Sequence, residues 1–116
     1  MNVGIDIVEI DRIQRCLEHK AFLKKVYSDA EIELFEKKKM NVETIAGRFC
    51  VKEAFSKALG TGIRNFEMTD ITTLNDELGA PYLVLENNAK KALGDRKTSV
   101  SISHTKNYAT AIVIIY

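Results

Sequence analysis

Two acidic residues stand where the apolar pattern of this sequence leaves no room for them. In "VGIDIVEI", residues 3–10, Asp6 interrupts a run that otherwise reads as an apolar strand. A buried, unpaired carboxylate is costly, so Asp6 needs a hydrogen-bonding backbone, a cation or a metal ion beside it. The second acid is Glu53. In steps of about 100° per residue, Val42, Ile45, Ala46, Phe49 and Cys50 define an apolar stripe along one helix, and Glu53 falls near its centre. Lys57 follows one turn later, with Arg48 and Lys52 to the flank. Two inward acids make a hard oxygen site for a magnesium ion that keeps several waters, and the basic side chains suggest phosphate oxygens as its remaining ligands. The competing reading of the same residues is a structural ion pair, Glu53 with Lys57 or Asp6 with an arginine.

The elements that must position these residues follow from local patterns. A two-residue period predicts a strand over residues 2–8, with Val3, Ile5 and Ile7 on one face and Gly4, Asp6 and Val8 on the other. Gly4 leaves bare backbone beside Asp6. From Glu9 the spacing of Ile10, Ile13 and Leu17 is helical, and a second short turn spans Phe22 to Val26. "SDAE" at 28–31 is a capping box; it opens a helix that turns Ile32 and Phe35 inward and ends near the lysines at 37–39, where cations suit a helix C-terminus. The helix that carries Glu53 runs from about Asn41 to Leu59 and stops at Gly60, with "GTG" as a loop behind it. Residues 67–74 and "YLVL" read as a hairpin around "NDELG", Asn87 to Leu93 as a short helix ended by Gly94, and "TSVSIS" and "YATAIVIIY" as a second hairpin around "HTKN". The class is α+β, an antiparallel sheet packed against a long central helix.

Size and charge narrow the function. A chain of 116 residues predicts one domain, 1–116, with a core small enough that association of subunits would help bury apolar surface. Seventeen basic against sixteen acidic residues give no electrostatic footprint for nucleic acid, so any phosphate binding must be local. Cys16 and Cys50 have no paired spacing, which argues against a zinc site or a disulfide framework and for two small core residues. The first residues pass directly into a strand, and no long apolar stretch follows, so a cytoplasmic protein without membrane association is expected.

"FCVKEAFSK" at 49–57, with "GID" at 4–6 and "SISH" at 101–104, closely resembles the holo-acyl-carrier-protein synthase family of 4'-phosphopantetheinyl transferases. "AGRF" before the helix motif and "GTGI" after it strengthen the resemblance, which covers essentially the whole chain. Two positions depart from the pattern: Asn2 stands where a further glycine is expected, and the chain ends at Tyr116 without a tail. Neither touches the acids.

The resemblance implies transfer of the phosphopantetheine arm of coenzyme A to a serine hydroxyl of an apo acyl carrier protein, in support of fatty acid biosynthesis, with release of adenosine 3',5'-bisphosphate. It implies Asp6 and Glu53 as magnesium ligands, Glu53 and Lys57 as catalytic groups, and Lys57 on the diphosphate. It places Arg48 and His104 on the ribose 3'-phosphate, with Thr105 adding a hydroxyl and Gly60 among the coenzyme-binding residues. Either Glu53 or a metal-bound water could take the serine proton. Between Arg12 and Lys25 stand five basic residues and one acid, Glu18; in this family that segment is a landing site for an acidic carrier protein, through Arg12 and Arg15, and His19 has no assigned role. The resemblance also implies a homotrimer with the active site between subunits, which suits the apolar last strand. Two other classes fit the acids alone: a magnesium-dependent hydrolase of coenzyme A or nucleotides, and a non-catalytic coenzyme A-binding module.

Overall fold

The structure, a computed structural model, describes residues 1–116. Strand β1 (Asn2–Glu9) passes directly into helix α1 (Ile10–Cys16), followed by α2 (Phe22–Val26), α3 (Asp29–Lys37) and α4 (Val42–Leu59). A 3-10 turn (Met68–Asp70) leads into β2 (Ile71–Asn75) and β3 (Pro81–Leu85); then come α5 (Asn87–Leu93), β4 (Thr98–His104) and β5 (Tyr108–Ile115). The strands form two antiparallel sheets where the sequence suggests one: β1-β5-β4, and the separate hairpin β2-β3. The expected strand over 67–74 begins later because Glu67 and Asp70 cap the 3-10 turn, with Glu67 N–H donating to the Asp70 carboxylate at 3.1 Å.

The two-residue period of β1 sorts its side chains as expected. Gly4 and Val8 are buried and Asp6 half-buried, while Val3, Ile5 and Ile7 are 60–65% exposed on the opposite face. Gly4 is where β1 comes closest to α4: a Cβ built there would lie 2.0 Å from the Ala54 carbonyl oxygen and 2.6 Å from the Ala58 amide nitrogen. Glycine therefore lets the strand backbone rest on the helix backbone. That contact decides how near Asp6 comes to the next turns of α4.

Helix α4 begins at Asn41, whose side chain accepts from the Thr44 N–H at 3.0 Å, and ends at Gly60 in the left-handed conformation (φ 80°). It packs against β1, β5, β4, α1 and β2. Its burial is broader than the single stripe that the sequence suggests, for Ile45, Cys50, Val51, Ala54 and Phe55 are all fully buried. Lys52 is the clearest correction. It is not a free cation on the flank of Glu53 but lies at 0% exposure, with Nζ donating to Glu31 Oε1 at 2.6 Å, to the Met68 carbonyl at 3.0 Å and to the Ile71 carbonyl. Glu31, expected only as the capping-box acid of α3, is equally buried; its Oε1 accepts from Ser28 N–H at 3.1 Å and its Oε2 from Thr73 N–H at 3.1 Å. Each charge is thus paired and hydrogen-bonded, the condition under which a buried ion pair is tolerated. The pair ties α3, α4 and β2 together.

Candidate active site

Asp6, Glu53 and Lys57 come from two elements in contact, β1 and α4, and converge where those elements cross. Lys57 Nζ lies 3.2 Å from Asp6 Oδ1 and also donates to the Ile5 carbonyl at 3.0 Å. The ion pair therefore joins Lys57 to Asp6, not to the neighbouring Glu53. Glu53, half-buried, has its proton affinity raised, first by loss of hydration and then by the charge of Asp6; Lys57 and Arg12 pull it back down. Arg12, exposed on α1, is thus close enough to be felt by Glu53. Its helix is fixed beside the β4–β5 hairpin by the Ile10 N–H, which donates to the Asn107 carbonyl at 2.9 Å. Arg15 is exposed in the last turn of the same helix.

Cys50, one turn before Glu53, is buried and donates to the Ala109 carbonyl at 3.4 Å. Burial and the nearby charges of Asp6 and Glu53 push its thiol up to about 12, so it is a neutral packing group, not a nucleophile. Cys16 is half-buried, and both cysteines are free.

The two carboxylates fit a magnesium ion on their donor chemistry. Both offer hard oxygens, and Glu53 faces the charge of Asp6 in a half-buried position, where a cation between the two would offset their repulsion. No third His, Cys, Asp or Glu joins them in a ligating cluster. Two carboxylates with the other positions left to water and phosphate is the arrangement magnesium favours, and one that does not suit zinc.

Arg48 and His104 meet elsewhere, in a pocket of about 360 Å³ that Glu43, Thr44, Ile102 and Ser103 complete. Arg48 is only 6% exposed; its Nη2 donates to Asn75 Oδ1, and its Nε has no partner. His104 Nε2 lies 3.3 Å from Glu43 Oε2. A guanidinium and an imidazole lining one pocket are donor groups of the kind that can receive an anion. Thr105 faces an adjoining pocket of about 230 Å³ with Ser103, His104, Ile7 and Tyr108, and its Oγ1 accepts from the Tyr108 N–H at 3.2 Å. Gly60 is exposed, and a Cβ there would meet nothing within 4 Å, so its left-handed φ explains the glycine. The pockets around Arg48, His104, Thr105 and Arg12 do not include Asp6, Glu53 or Lys57 among their walls. The acid pair and the Arg48–His104 pocket are thus separate places on this chain. Asn75 was not among the candidates; it lies far from Arg48 in the chain, and no local spacing marks it.

Residues 2–113 match the family model described as the 4'-phosphopantetheinyl transferase superfamily. The holo-(acyl-carrier-protein) synthase of Fusobacterium nucleatum is 44% identical over 119 aligned positions, covering 99% of this chain and 98% of the relative. Among solved structures, the Helicobacter pylori holo-(acyl-carrier-protein) synthase in complex with coenzyme A superposes with a TM-score of 0.86 at 37% identity, covering 98% of this chain and 99% of that one. The Bacillus anthracis holo-(acyl-carrier-protein) synthase, in complex with coenzyme A (3',5'-ADP), gives 0.84 at 34% identity over 98% and 94%.

Proposed function

Because the chain belongs to the 4'-phosphopantetheinyl transferase superfamily, and its full-length relatives are holo-(acyl-carrier-protein) synthases, we infer that it moves the 4'-phosphopantetheine group of coenzyme A to a serine hydroxyl of apo acyl carrier protein, in support of fatty acid biosynthesis. The observation that carries this is the convergence of Asp6, Glu53 and Lys57 at the crossing of β1 and α4. Incubation with apo carrier protein, coenzyme A and magnesium should add the mass of one phosphopantetheine arm to the carrier. Consumption of coenzyme A without that gain would make the protein a hydrolase; binding without turnover would make it a coenzyme A-binding module.

In the transfer, the serine oxygen forms a bond to the phosphorus that carries the pantetheine arm, and the bond from that phosphorus to the bridging oxygen breaks, releasing adenosine 3',5'-bisphosphate. Phosphoryl transfer needs placement and charge neutralisation more than covalent help. Asp6 and Glu53 would hold a magnesium ion, which when bound neutralises diphosphate charge. Glu53, or a water on the bound ion, would receive the proton that leaves the serine. Lys57 rests beside Asp6 with its side chain 55% exposed, and as a surface pair it would turn to the diphosphate at little cost. Arg48 and His104, with Thr105, receive the ribose 3'-phosphate, Glu43 yielding its place at His104, and Gly60 leaves the end of α4 open to the coenzyme. Lys57→Ala should therefore lower mainly kcat, and Arg48→Ala should raise mainly KM for coenzyme A, because the 3'-phosphate is remote from the reacting bond. Steady-state kinetics of the two variants check the split.

The working unit in this reading is a homotrimer with the site between subunits. Two features support it. The acid pair and the Arg48–His104 pocket are separate places on one protomer. The outer face of the β1-β5-β4 sheet sets the exposed Val3, Ile5 and Ile7 beside the half-buried Ile114, Ile112 and Thr110, a β-branched surface. Activity per subunit should fall on dilution, and a fully active 13.1 kDa species in light scattering would refute the assembly. No helix is long and apolar enough to cross a membrane, and the two unpaired cysteines suit a reducing cytoplasm. The chain acts as a single catalytic domain.

The acidic carrier approaches α1. Arg12 begins that helix within electrostatic reach of Glu53, so a carboxylate paired with its guanidinium sits beside the acceptor serine. Arg15 widens the same cationic patch. Arg12→Glu should raise KM for the carrier about tenfold or more, with little change in KM for coenzyme A. Salt should weaken the wild-type reaction and affect the variant less, because screening acts on an attraction the variant lacks.

A further inference from the structure

Arg48 is held by a residue from the other sheet. Asn75 ends β2, and both ends of its amide are engaged: Oδ1 accepts from Arg48 Nη2, and Nδ2 donates to the Gly79 carbonyl at 2.9 Å. That carbonyl accepts only from the amide nitrogen, which turns the oxygen toward the arginine. The turn that supplies the carbonyl is itself closely tied. Asp76 Oδ1 accepts from the N–H groups of Leu78 and Ala80, both at 2.9 Å; the Asp76 N–H donates to the Ala80 carbonyl at 2.9 Å, and Gly79 takes a φ of 90°. Asn75, itself exposed, is thus anchored to a hairpin turn that is hydrogen-bonded within itself.

What it holds is a planar cation with several rotatable bonds, buried, lining the pocket of His104 and Ser103, and otherwise unpartnered at Nε. A guanidinium recognises phosphate through its plane, so a plane fixed in advance loses less freedom on binding. A carboxylate in place of the amide would fix the plane equally well but would also neutralise the charge the phosphate must meet. Glu43, the carboxylate that does line this pocket, is turned to His104 instead.

We propose that Asn75 is a positioning residue for phosphate recognition: from the end of β2 its neutral amide oxygen sets the plane of the Arg48 guanidinium and leaves its charge free for the 3'-phosphomonoester of the substrate. It rests on the reading of Arg48 as the 3'-phosphate contact. The test compares kcat/KM for coenzyme A and for 3'-dephospho-coenzyme A in wild type, Arg48→Ala, Asn75→Ala and Asn75→Asp. Because both substrates meet the same enzyme sample, the ratio is independent of the fraction that folds. Wild type should prefer coenzyme A, and Arg48→Ala should lose most of that preference. Asn75→Ala should reduce it by about fivefold to tenfold, the net size expected for one ordinary intramolecular hydrogen bond. Asn75→Asp should reduce it further, toward the level of Arg48→Ala, because the new carboxylate competes with the phosphate. A wild-type preference retained in Asn75→Ala while Arg48→Ala loses it would overturn the role of Asn75 and leave Arg48 standing. Equal use of both substrates by wild type would overturn both together. An Asn75→Asp variant at least as selective as Asn75→Ala would show that the neutrality of the amide is irrelevant and defeat the proposal in that form.

Discussion

Asp6→Asn and Glu53→Gln should each lose at least about a hundredfold in turnover, the loss expected when an anionic ligand that helps neutralise phosphate charge is removed without a change in volume. Near-normal activity of either variant at limiting magnesium would remove that residue from the site. The two carboxylates should differ in what they do to stability. Glu53 binds its proton more tightly in the folded protein than in the unfolded chain, because it has lost hydration and faces Asp6. The folded state therefore carries more protons through the window between the usual glutamate range and Glu53's raised one. Stability from this group is greatest below that window and falls as pH rises through it, so ionised Glu53 is a standing cost at neutral pH. Glu53→Gln removes the cost: in chelator, its Tm at pH 7 should exceed that of wild type, and the difference should shrink on acidification. Asp6→Asn gives up the contact with Lys57 at 3.2 Å, so its gain should be smaller. A Glu53→Gln variant that is both inactive and less stable than wild type at pH 7 would mean that Glu53 serves the fold.

The parts of this site that were legible in the sequence are those fixed by local periodicity. A strand half buried on one face announces its register, and Asp6 falls on the buried face with Gly4 and Val8 because the period is two. Helix α4 was legible at its ends, where Asn41 and Gly60 supply the capping chemistry, but not around its circumference. Periodicity reports a helix with one wet face, and α4 is packed by β1, β5, β4, α1 and β2. Lys52 was misplaced for that reason: its partner Glu31 and the carbonyls of Met68 and Ile71 are brought together only by tertiary packing. Asn75 was invisible on the same grounds. Its importance is a contact across 27 positions of sequence, and nothing within its own hairpin records it. The split of the strands into two sheets also depends on packing, since the hairpin patterns specify pairs of strands and say nothing of how the pairs join.

Gly4→Ala should be among the most damaging single changes outside the acids, although it adds only a methyl group. The new Cβ would lie 2.0 Å from the Ala54 carbonyl oxygen and 2.6 Å from the Ala58 amide nitrogen, and both are backbone atoms of α4 that no rotamer change can move aside. The strand must lift from the helix. Overpacking of this kind costs about 3 kcal/mol, at the upper end of the usual range, which for a chain of this size is a fall in Tm of roughly 10 °C. Gly47→Ala provides the contrast: its Cβ would come 2.9 Å from Ile102 Cγ2, a methyl that a small side-chain adjustment can withdraw, so its effect should be much smaller. The consequence for activity is separate from that for stability. Asp6 stands two residues along the same strand, on the same face, and reaches Lys57 and Glu53 only because β1 rests on α4 at Gly4. Lifting the strand by about 1 Å misplaces one carboxylate against the other, which costs about a hundredfold in catalysis of this type. Kinetics at a temperature where circular dichroism shows the variant fully folded should therefore still reveal the loss. Full specific activity of folded Gly4→Ala would mean that the crossing of β1 and α4 sets stability alone, and that the acids do not depend on it for their alignment.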